Sequence, residues 1–239
     1  MEKRVLVTGA SSGLGRGFVE AHLDRGDQVY GVSRRVPKDL IAKGLRHSSM
    51  DLSKFTPDLE AFRTWIQPVR RWDLVYLNAA KLGRVGDMRD TPLSDLRETM
   101  EVNVWANKWI LDALFEEADS VEVVIGISTG ASRSGNRGWN GYSLSKSAFN
   151  MLIKLYATEQ LKTHFVALAP GLIESEMQDY LTSLPVDERF QFTKILKEAR
   201  GTERMPDGRA CAEMILEQWS KILAVPSGEY ADIRQLRDG

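Results

Sequence analysis

The amino-acid sequence predicts an α/β fold: a single domain on a doubly wound, mostly parallel sheet of seven strands with helices on both faces. Short segments rich in β-branched and aromatic residues alternate with longer amphipathic segments along nearly the whole chain. Strands joined by helical crossovers pair in parallel with right-handed connections. No internal repeat, low-complexity tract or Pro/Gly-rich linker marks a second domain, and 239 residues suit one large α/β unit. We therefore expect residues 1–239 to form one domain.

Seven strands and five helices are predicted from hydrophobic periodicity and turn signals. The strands are Arg4–Thr8, Gln28–Ser33, Leu45–Asp51, Asp73–Asn78, Val121–Ser128, His164–Ala169 and, from the weakest pattern, Glu229–Ile233. The helices are Gly13–Arg25, Phe55–Gln67, Pro92–Glu117, Gly141–Leu161 and Pro206–Leu223. The segment Leu172–Glu203 is less regular and has two short helical patterns, so we interpret it as a mobile flap over a substrate.

Composition excludes several classes of function. The 32 basic and 33 acidic residues nearly balance, which leaves no electrostatic signature for nucleic acid or an anionic membrane. No signal peptide and no apolar run of about 20 residues is present, so we expect a soluble, cytoplasmic protein. His22, His47 and His164 lack metal-ligand spacing, and no metal is expected. The single cysteine, Cys211, is expected to be a buried structural thiol.

A glycine-rich turn follows the first predicted strand and opens the first helix. Glycine permits a positive φ and a close approach of the backbone to a ligand, and the helix N-terminus offers unpaired N–H groups to a pyrophosphate. The spacing G-x-x-x-G-x-G differs from the familiar G-x-G-x-x-G, and a tight strand–helix connection is the alternative interpretation. Its position after the first strand favours a dinucleotide site of the Rossmann type. The predicted cofactor contacts of this turn are Gly9, Ser11, Ser12, Gly13, Leu14 and Gly15.

The end of the second strand favours NADP(H) over NAD(H). A 2′-hydroxyl is normally bound there by a carboxylate, whereas a 2′-phosphate requires a cation. The sequence has Ser33, Arg34 and Arg35 at this point and no acidic residue. Arginine can hold a phosphate through two parallel hydrogen bonds. The alternative is a pair of solvated surface arginines.

Tyr142 and Lys146 are spaced to share one face of a helix. A phenol with a pKa of about 10 is a poor base at neutral pH. A nearby ammonium would lower that pKa and suit tyrosine to general acid–base chemistry. Alone, this spacing is typical of exposed helical pairs, and it becomes informative in combination with the glycine turn.

Together these motifs resemble the short-chain dehydrogenase/reductase family, from Thr8 to the turn at Ser227-Gly228. The segments Ile127–Ala131 and Gly138-Trp139 resemble most the sepiapterin reductase and benzil reductase branch. The resemblance implies that Tyr142 exchanges a proton with the substrate oxygen. It also implies that Lys146 holds the nicotinamide ribose and lowers the pKa of the tyrosine, while Asn103 positions a water beside the lysine.

The resemblance implies further cofactor contacts. Asn78 with Ala79 and Ala80 matches the family's Asn-Ala-Gly motif, which lines the cofactor and braces the sheet, with alanine in place of glycine. Asp51 and Leu52 fall where the family contacts adenine. The segment that meets the carboxamide corresponds to Pro170, Gly171 and Ile173, with Ser175 where a threonine is common.

The hydroxyl that polarises the substrate departs from the family pattern. Thirteen residues before the tyrosine, where the family has serine, this chain has Thr129. A threonine hydroxyl can donate the same hydrogen bond, although its β-branch restricts χ1. Ser132 is the lesser candidate, and Ser128 is expected to face the other side of its strand. Trp139 is equally compatible with the substrate pocket and with packing.

The predicted function is NADPH-dependent reduction of a ketone or aldehyde to an alcohol. The alternative is a non-catalytic NADP-binding sensor or scaffold, since a fold does not determine a function. An epimerase or dehydratase is disfavoured because no separate substrate domain follows the sheet. The resemblance further implies a homodimer or homotetramer formed through the helices Pro92–Glu117 and Gly141–Leu161.

Overall fold

The computed structural model describes residues 2–54, 59–185 and 187–238, and these form an α/β domain around one parallel sheet. Its strands are β1 (Arg4–Thr8), β2 (Gln28–Ser33), β3 (Arg46–Ser49), β4 (Arg71–Trp72), β5 (Leu74–Leu77), β6 (Ser120–Val121), β7 (Val123–Ile127), β8 (His164–Ala169) and β9 (Glu229–Asp232). Seven of them form the sheet in the order β3-β2-β1-β5-β7-β8-β9, while β4 and β6 form a separate parallel pair. All seven predicted strands are therefore present, and the sheet is parallel throughout.

The helices lie between the strands and after the last one. They are α1 (Gly13–Asp24), α2 (Lys38–Ala42), α3 (Leu59–Ile66), α4 (Leu93–Met100), α5 (Ala106–Glu117), α6 (Ala131–Ser134), α7 (Asn140–Glu159), α8 (Glu176–Ser183), α9 (Phe192–Ala199), α10 (Gly208–Glu217), α11 (Trp219–Ala224) and α12 (Ile233–Asp238). The predicted start of α3 at Phe55 lies outside the described residues. The helices α2, α6 and α12 were not predicted, because segments of four to six residues are too short to display a helical period.

Two predicted helices are interrupted in the structure. The segment Pro92–Glu117 contains α4, a π-helical turn over Glu101–Trp105 and then α5. A π turn adds one residue to the hydrogen-bonded loop without interrupting the apolar pattern, so periodicity alone cannot reveal it. The segment Pro206–Leu223 divides at Gln218 into α10 and α11.

Hydrophobic cores lie on both faces of the sheet. One face packs against α3, α5 and α7, through side chains such as Phe62, Ile110 and Phe149. The other packs against α1 and α10, and it includes Phe18 and the buried thiol of Cys211, as predicted. Because both faces are covered, the central strands β1, β5, β7 and β8 are largely continuous apolar segments rather than alternating ones.

The segment between β8 and α10 has a small core of its own. This third cluster joins α8 and α9 to Trp139 and to Leu172 at the end of the sheet. Both of the short helical patterns predicted for this segment are present. Among the described residues, no helix is long and apolar enough to cross a membrane.

Candidate active site

A cavity of about 1070 Å³ opens where the strands of the sheet end. The carboxyl ends of parallel strands meet at one edge, which is where ligands bind in doubly wound folds. All the predicted site residues except Gly15 and Asn103 line this cavity: Gly9, Ser11, Ser12, Gly13, Leu14, Ser33, Arg34, Asp51, Leu52, Asn78, Ala79, Ala80, Thr129, Tyr142, Lys146, Pro170, Gly171, Ile173 and Ser175.

The glycine turn forms one wall of the cavity. Gly9 and Gly13 have φ values of +71° and +52°, which disfavour any residue with a side chain. The Ser12 side chain does not cap α1. Among the hydrogen bonds of the described residues, none has the N–H of Gly13 or Leu14 as donor, so these groups are free for an anion. Gly15 instead packs inward, because a Cβ there would lie 2.2 Å from the Gly9 carbonyl oxygen.

The side chain of Asn78 supports the turn from the neighbouring strand. Its Nδ2 donates to the Thr8 carbonyl over 2.9 Å, and its backbone N–H donates to the Thr8 hydroxyl over 2.9 Å. These bonds tie the ends of β1 and β5 together. No described residue other than glycine has a positive φ, so Ala80 occupies ordinary backbone and tolerates its side chain.

Two arginines follow β2, and each is held through its main chain. The Ser33 hydroxyl donates to the Arg35 carbonyl over 2.8 Å, and the Ser49 hydroxyl donates to the Arg34 carbonyl over 3.2 Å. The Arg35 side chain forms an ion pair with Glu176, so the start of α8 meets the end of β2. Both side chains of this pair are exposed, which leaves the guanidinium available to a stronger anion.

The carboxylate of Asp51 is turned toward its own loop. It accepts hydrogen bonds from the backbone N–H of Ser53 over 3.0 Å and from the Ser53 hydroxyl over 2.8 Å. Burial acts to raise the pKa of Asp51, but these bonds and the charge of Arg34 hold that pKa below its usual value. Asp51 is therefore an anion that lines the cavity with its oxygen atoms already engaged.

Tyr142, Lys146 and Thr129 meet on the opposite wall. Tyr142 and Lys146 stand one turn apart on α7, and Thr129 follows β7. Burial raises the pKa of Tyr142 to about 12, while a hydrogen bond with the Thr129 side chain acts in the opposite direction. The Thr129 hydroxyl also accepts from the N–H of Ala131 over 3.2 Å, which orients it. The phenol is thus protonated at neutral pH.

Lys146 is buried, and its amine is directed at the backbone. Only 1% of the residue is exposed. Its Nζ donates to the Ile127 carbonyl over 2.6 Å and lies 4.9 Å from the Phe149 ring centre. Burial lowers the pKa of Lys146 to about 7. The expected lowering of the Tyr142 pKa by a lysine charge therefore does not occur in this structure, because burial governs both groups.

The two neighbouring serines are engaged elsewhere. Ser128 donates to Oδ1 of Asn150 over 2.5 Å, which directs its hydroxyl away from Tyr142. Ser132 donates to the Thr129 carbonyl over 2.7 Å and does not line the cavity. Of the three hydroxyls considered from the sequence, that of Thr129 is the one beside the phenol.

Asn103 lies behind the cavity wall, in the π-helical turn. Its fully buried side chain accepts from the N–H of Lys81 over 2.7 Å and donates to the Lys81 carbonyl over 2.8 Å. It also donates to the Ser145 hydroxyl over 2.9 Å, and that hydroxyl donates to the Tyr142 carbonyl. Asn103 therefore joins the loop after β5 to the helix that carries Tyr142. Its expected role beside a water molecule stays a prediction.

The remaining wall of the cavity is apolar and aromatic. Trp139 lies 4.4 Å from Phe192 and 5.7 Å from Tyr142, measured between ring centres. The segment between β8 and α10 contributes further apolar side chains to this wall: Leu172, Met177, Leu181, Ile195 and Leu196. Trp139 thus lines the pocket and also packs against Phe192 of α9.

Three charged residues of the cavity, Lys81, Glu176 and Arg234, were missed by sequence reasoning. Glu176 lines it beside Arg35, and Arg234 lines it from the first turn of α12. Arg234 follows the last strand directly, so its place at a strand's carboxyl end was the available signal. The weak pattern of β9 concealed that signal. No cluster of three or more potential metal ligands occurs in the part of the chain that the structure describes.

The fold and this cavity define a protein of the dinucleotide-binding α/β class. The chain belongs to the short-chain dehydrogenase family, because the family's model matches residues 3–184. It is thus an oxidoreductase of that family, as its sequence predicted.

Individual relatives agree with this assignment. A benzil reductase ((S)-benzoin forming) of Bacillus subtilis is 25% identical over 84% of this chain and 88% of its own length. A short-chain dehydrogenase/reductase structure from Saccharomyces cerevisiae superposes with a TM-score of 0.79 at 21% identity, covering 99% of this chain and 98% of its own. A short-chain dehydrogenase from Shigella flexneri, complexed with NADP, gives a TM-score of 0.77 at 20% identity, covering 97% of each chain.

Proposed function

We propose that this protein reduces a ketone or aldehyde carbonyl to an alcohol with NADPH, and that Tyr142 delivers the proton. The observation that carries the proposal is the meeting of Thr129, Tyr142 and Lys146 in the cavity that also contains the glycine turn. A phosphate site and a protonated phenol in one cavity suit hydride chemistry on a bound dinucleotide.

The residues present fit NADP(H). The free N–H groups at the start of α1 suit a pyrophosphate. Glycine at position 9 lets Asn78 pack against the turn, since a Cβ there would lie 2.8 Å from Nδ2 of Asn78. Arg34 and Arg35 suit a 2′-phosphate. Asp51, the carboxylate just after β3, is engaged by Ser53, and Glu176 forms an exposed ion pair with Arg35. When bound, the cofactor supplies the hydride.

The chain's own groups supply the proton and its positioning. Tyr142 holds a proton at its phenol oxygen near neutral pH, so it acts as the acid for carbonyl reduction. Thr129 shares a hydrogen bond with the phenol and supports the same substrate oxygen. Lys146, with a pKa of about 7, is divided between charged and neutral forms at neutral pH, and it lies one helical turn from Tyr142 in the same cavity. Asn103 is a positioning residue that holds α7 in place.

The substrate side favours a carbonyl next to an aromatic ring. Trp139 and Phe192 supply ring faces, and the flap adds aliphatic side chains to exclude water. That the relative in Bacillus subtilis is a benzil reductase supports this class of substrate. We propose that residues 172–203 act as the flap that covers the bound substrate.

The test follows NADPH absorbance with benzil and a panel of aromatic aldehydes. We expect the wild type to turn over at least one of them, and Tyr142→Phe to lose at least about 100-fold in kcat because the proton donor is gone. NADPH affinity of the variant should stay within a few-fold. Tyr180→Phe, an exposed tyrosine of α8, is the matched control. Retained turnover in Tyr142→Phe refutes the mechanism. If the wild type binds NADPH tightly but turns over none of these compounds, the result favours the alternative of a non-catalytic NADP-binding sensor or scaffold.

The cofactor preference is tested separately. Arg34→Glu should weaken NADPH binding at least about tenfold more than NADH binding, because it removes a charge-assisted bond to the 2′-phosphate. Arg204→Glu, an exposed arginine outside the cavity, is the control. Equal losses for both dinucleotides would remove the proposed role of Arg34.

We further propose a homo-oligomer that buries the outer faces of α5 and α7. Leu144, Met151 and Leu155 are exposed along α7, and Trp105 is exposed before α5. Light scattering should give a dimer or tetramer mass, and Leu155→Asp should reduce it. A monomer in the wild type refutes this. A cytoplasmic location stays a prediction of the sequence.

A further inference from the structure

Arg234 places a guanidinium beside the reacting end of the cavity. β9 pairs in parallel with β8, so both strands end at the same edge. A Cβ built on Gly130, the residue after Thr129, would lie 3.9 Å from Nη2 of Arg234, and one built on Gly171 would lie 3.9 Å from its Cδ. Thr129, Gly130, Gly171 and Arg234 all line the cavity. The guanidinium therefore lies beside Gly130, the residue that directly follows Thr129 in the chain.

The guanidinium is held in a fixed orientation by a buried carboxylate. Asp232 accepts from Nε of Arg234 over 2.9 Å and from Nη2 over 2.5 Å. It also accepts from the backbone N–H of Arg234 over 3.0 Å. The Asp232 side chain is 8% exposed, whereas that of Arg234 is 64% exposed. Asp232 therefore fixes the guanidinium through Nε and Nη2, and Nη1 makes no hydrogen bond among the described residues.

Among the described residues, the ion-pair partner of Asp232 is Arg234. Arg133 lies on the same surface, 4.9 Å from the ring centre of Tyr230, and is outside the cavity. Two acidic residues of the described chain line the cavity. Asp51 follows β3 and accepts hydrogen bonds from Ser53. Glu176 begins α8 and forms an ion pair with Arg35. The only other cations in the described lining are Arg34, Arg35, Lys81 and Lys146. Lys81 is paired with Glu98 and Lys146 with the Ile127 carbonyl.

We propose that Arg234 binds a carboxylate of the substrate, so that the preferred substrates are aryl-substituted 2-oxo acids. The inference rests on the proposed carbonyl reduction and specifies its substrate. The reacting carbonyl lies between Thr129 and Tyr142, the aryl group packs on Trp139 and Phe192, and the carboxylate next to the carbonyl meets Nη1 of Arg234. A planar fork with a free N–H matches a carboxylate, and a bond between two charged groups is stronger than one to a neutral ester.

The test compares benzoylformate with its methyl ester, which keeps the aryl ketone and removes the charge. The readout is the ratio of kcat/KM for the acid to that for the ester. We expect Arg234→Met to lower this ratio by about 10- to 100-fold, mainly through KM of the acid. Arg234→Lys should retain part of the ratio, because it keeps the charge and loses the fork. Arg133→Met, on the same surface but outside the cavity, should leave the ratio within about twofold of the wild type.

A binding measurement separates this inference from the proposed function. Calorimetry with benzoylformate and the NADP⁺-loaded protein should give a dissociation constant at least about tenfold weaker for Arg234→Met than for the wild type. If Arg234→Met does not fold, Arg234→Lys and Asp232→Asn are compared instead. An unchanged ratio, or equal affinity of wild type and variant for the acid, overturns the inference. If the ester is turned over but the protein neither prefers nor binds the acid, the role of Arg234 is overturned and the proposed carbonyl reduction stands. Absence of turnover for both compounds counts against the proposed function, and the calorimetry still decides the role of Arg234.

Discussion

Lys146 makes the stability of this protein depend on pH in a direction that can be measured. Its pKa is about 7 in the folded chain, against 10.5 for an ordinary lysine. The two values differ by about 3.5, which corresponds to about 5 kcal/mol between the protonated and neutral forms. The cause is the burial of the amine, whose polar partner is one carbonyl oxygen. Folding therefore disfavours the protonated form of Lys146 relative to its neutral form.

The sign follows from which state holds the proton. Between about pH 7 and pH 10.5, the unfolded chain carries a proton on this lysine that the folded chain has released. The free energy of unfolding therefore rises with pH, by about 1.4 kcal/mol per pH unit. Below about pH 7, Lys146 is protonated in both the folded and the unfolded chain, and the full cost of burying its charge lowers the free energy of unfolding. Above pH 10.5 the lysine is neutral in both states and this cost is absent.

The assay is urea unfolding at several pH values between about 7.5 and 9.5, for the wild type and Lys146→Met. Across this range the wild type should gain roughly 2–3 kcal/mol relative to the variant, because methionine does not titrate. The Ile127 carbonyl loses its donor in the variant, but that cost is the same at every pH. Lys154→Met, an exposed lysine on the same helix, should follow the wild type. Parallel curves for the wild type and Lys146→Met would refute the reasoning.

Three further predictions concern the oxygen site, the flap and the helix packing. Thr129→Val, which keeps the shape and removes the hydroxyl, should reduce kcat for carbonyl reduction by about 100-fold. Glu176→Gln should tighten NADPH binding by about 1.5- to 5-fold and leave NADH binding unchanged, because it frees Arg35 from an exposed ion pair. Gly17→Ala should lower the free energy of unfolding by about 2 kcal/mol or more, since its Cβ would lie 2.0 Å from the Gly208 carbonyl oxygen.

Each of these predictions has a matched control. Thr129→Ser should restore most of kcat, and turnover of the valine variant within threefold of the wild type would contradict the assignment. Glu174→Gln, two residues before Glu176, should leave the affinities for NADPH and NADH unchanged. If Glu176→Gln tightened NADH binding as much as NADPH binding, Glu176 would not compete with a 2′-phosphate for Arg35. Gly86→Ala has nothing within 4 Å of the new Cβ, so its unfolding curve should match that of the wild type.

Much of the fold was predictable because its signals are local. Buried parallel strands consist of continuous apolar residues, and β1, β2 and β8 were predicted to the residue. The π turn at Glu101–Trp105 was not predictable, because Asn103 interacts there with Lys81, 22 residues earlier in the chain. The shortest helices were missed because four to six residues do not contain a full pattern.

What the sequence determined by itself was the chemistry available: a glycine turn for phosphate, two arginines after β2, and Tyr142 one helical turn from Lys146. These depend on spacing along one segment, which the helix and the strand convert directly into proximity. The tertiary structure alone decided which hydroxyl meets the phenol and whether the pKa of Tyr142 rises or falls. It also brought Arg234 to the cavity and Glu176 to Arg35, 141 residues away. Burial and long-range contacts govern these properties, and both arise only when distant segments pack together.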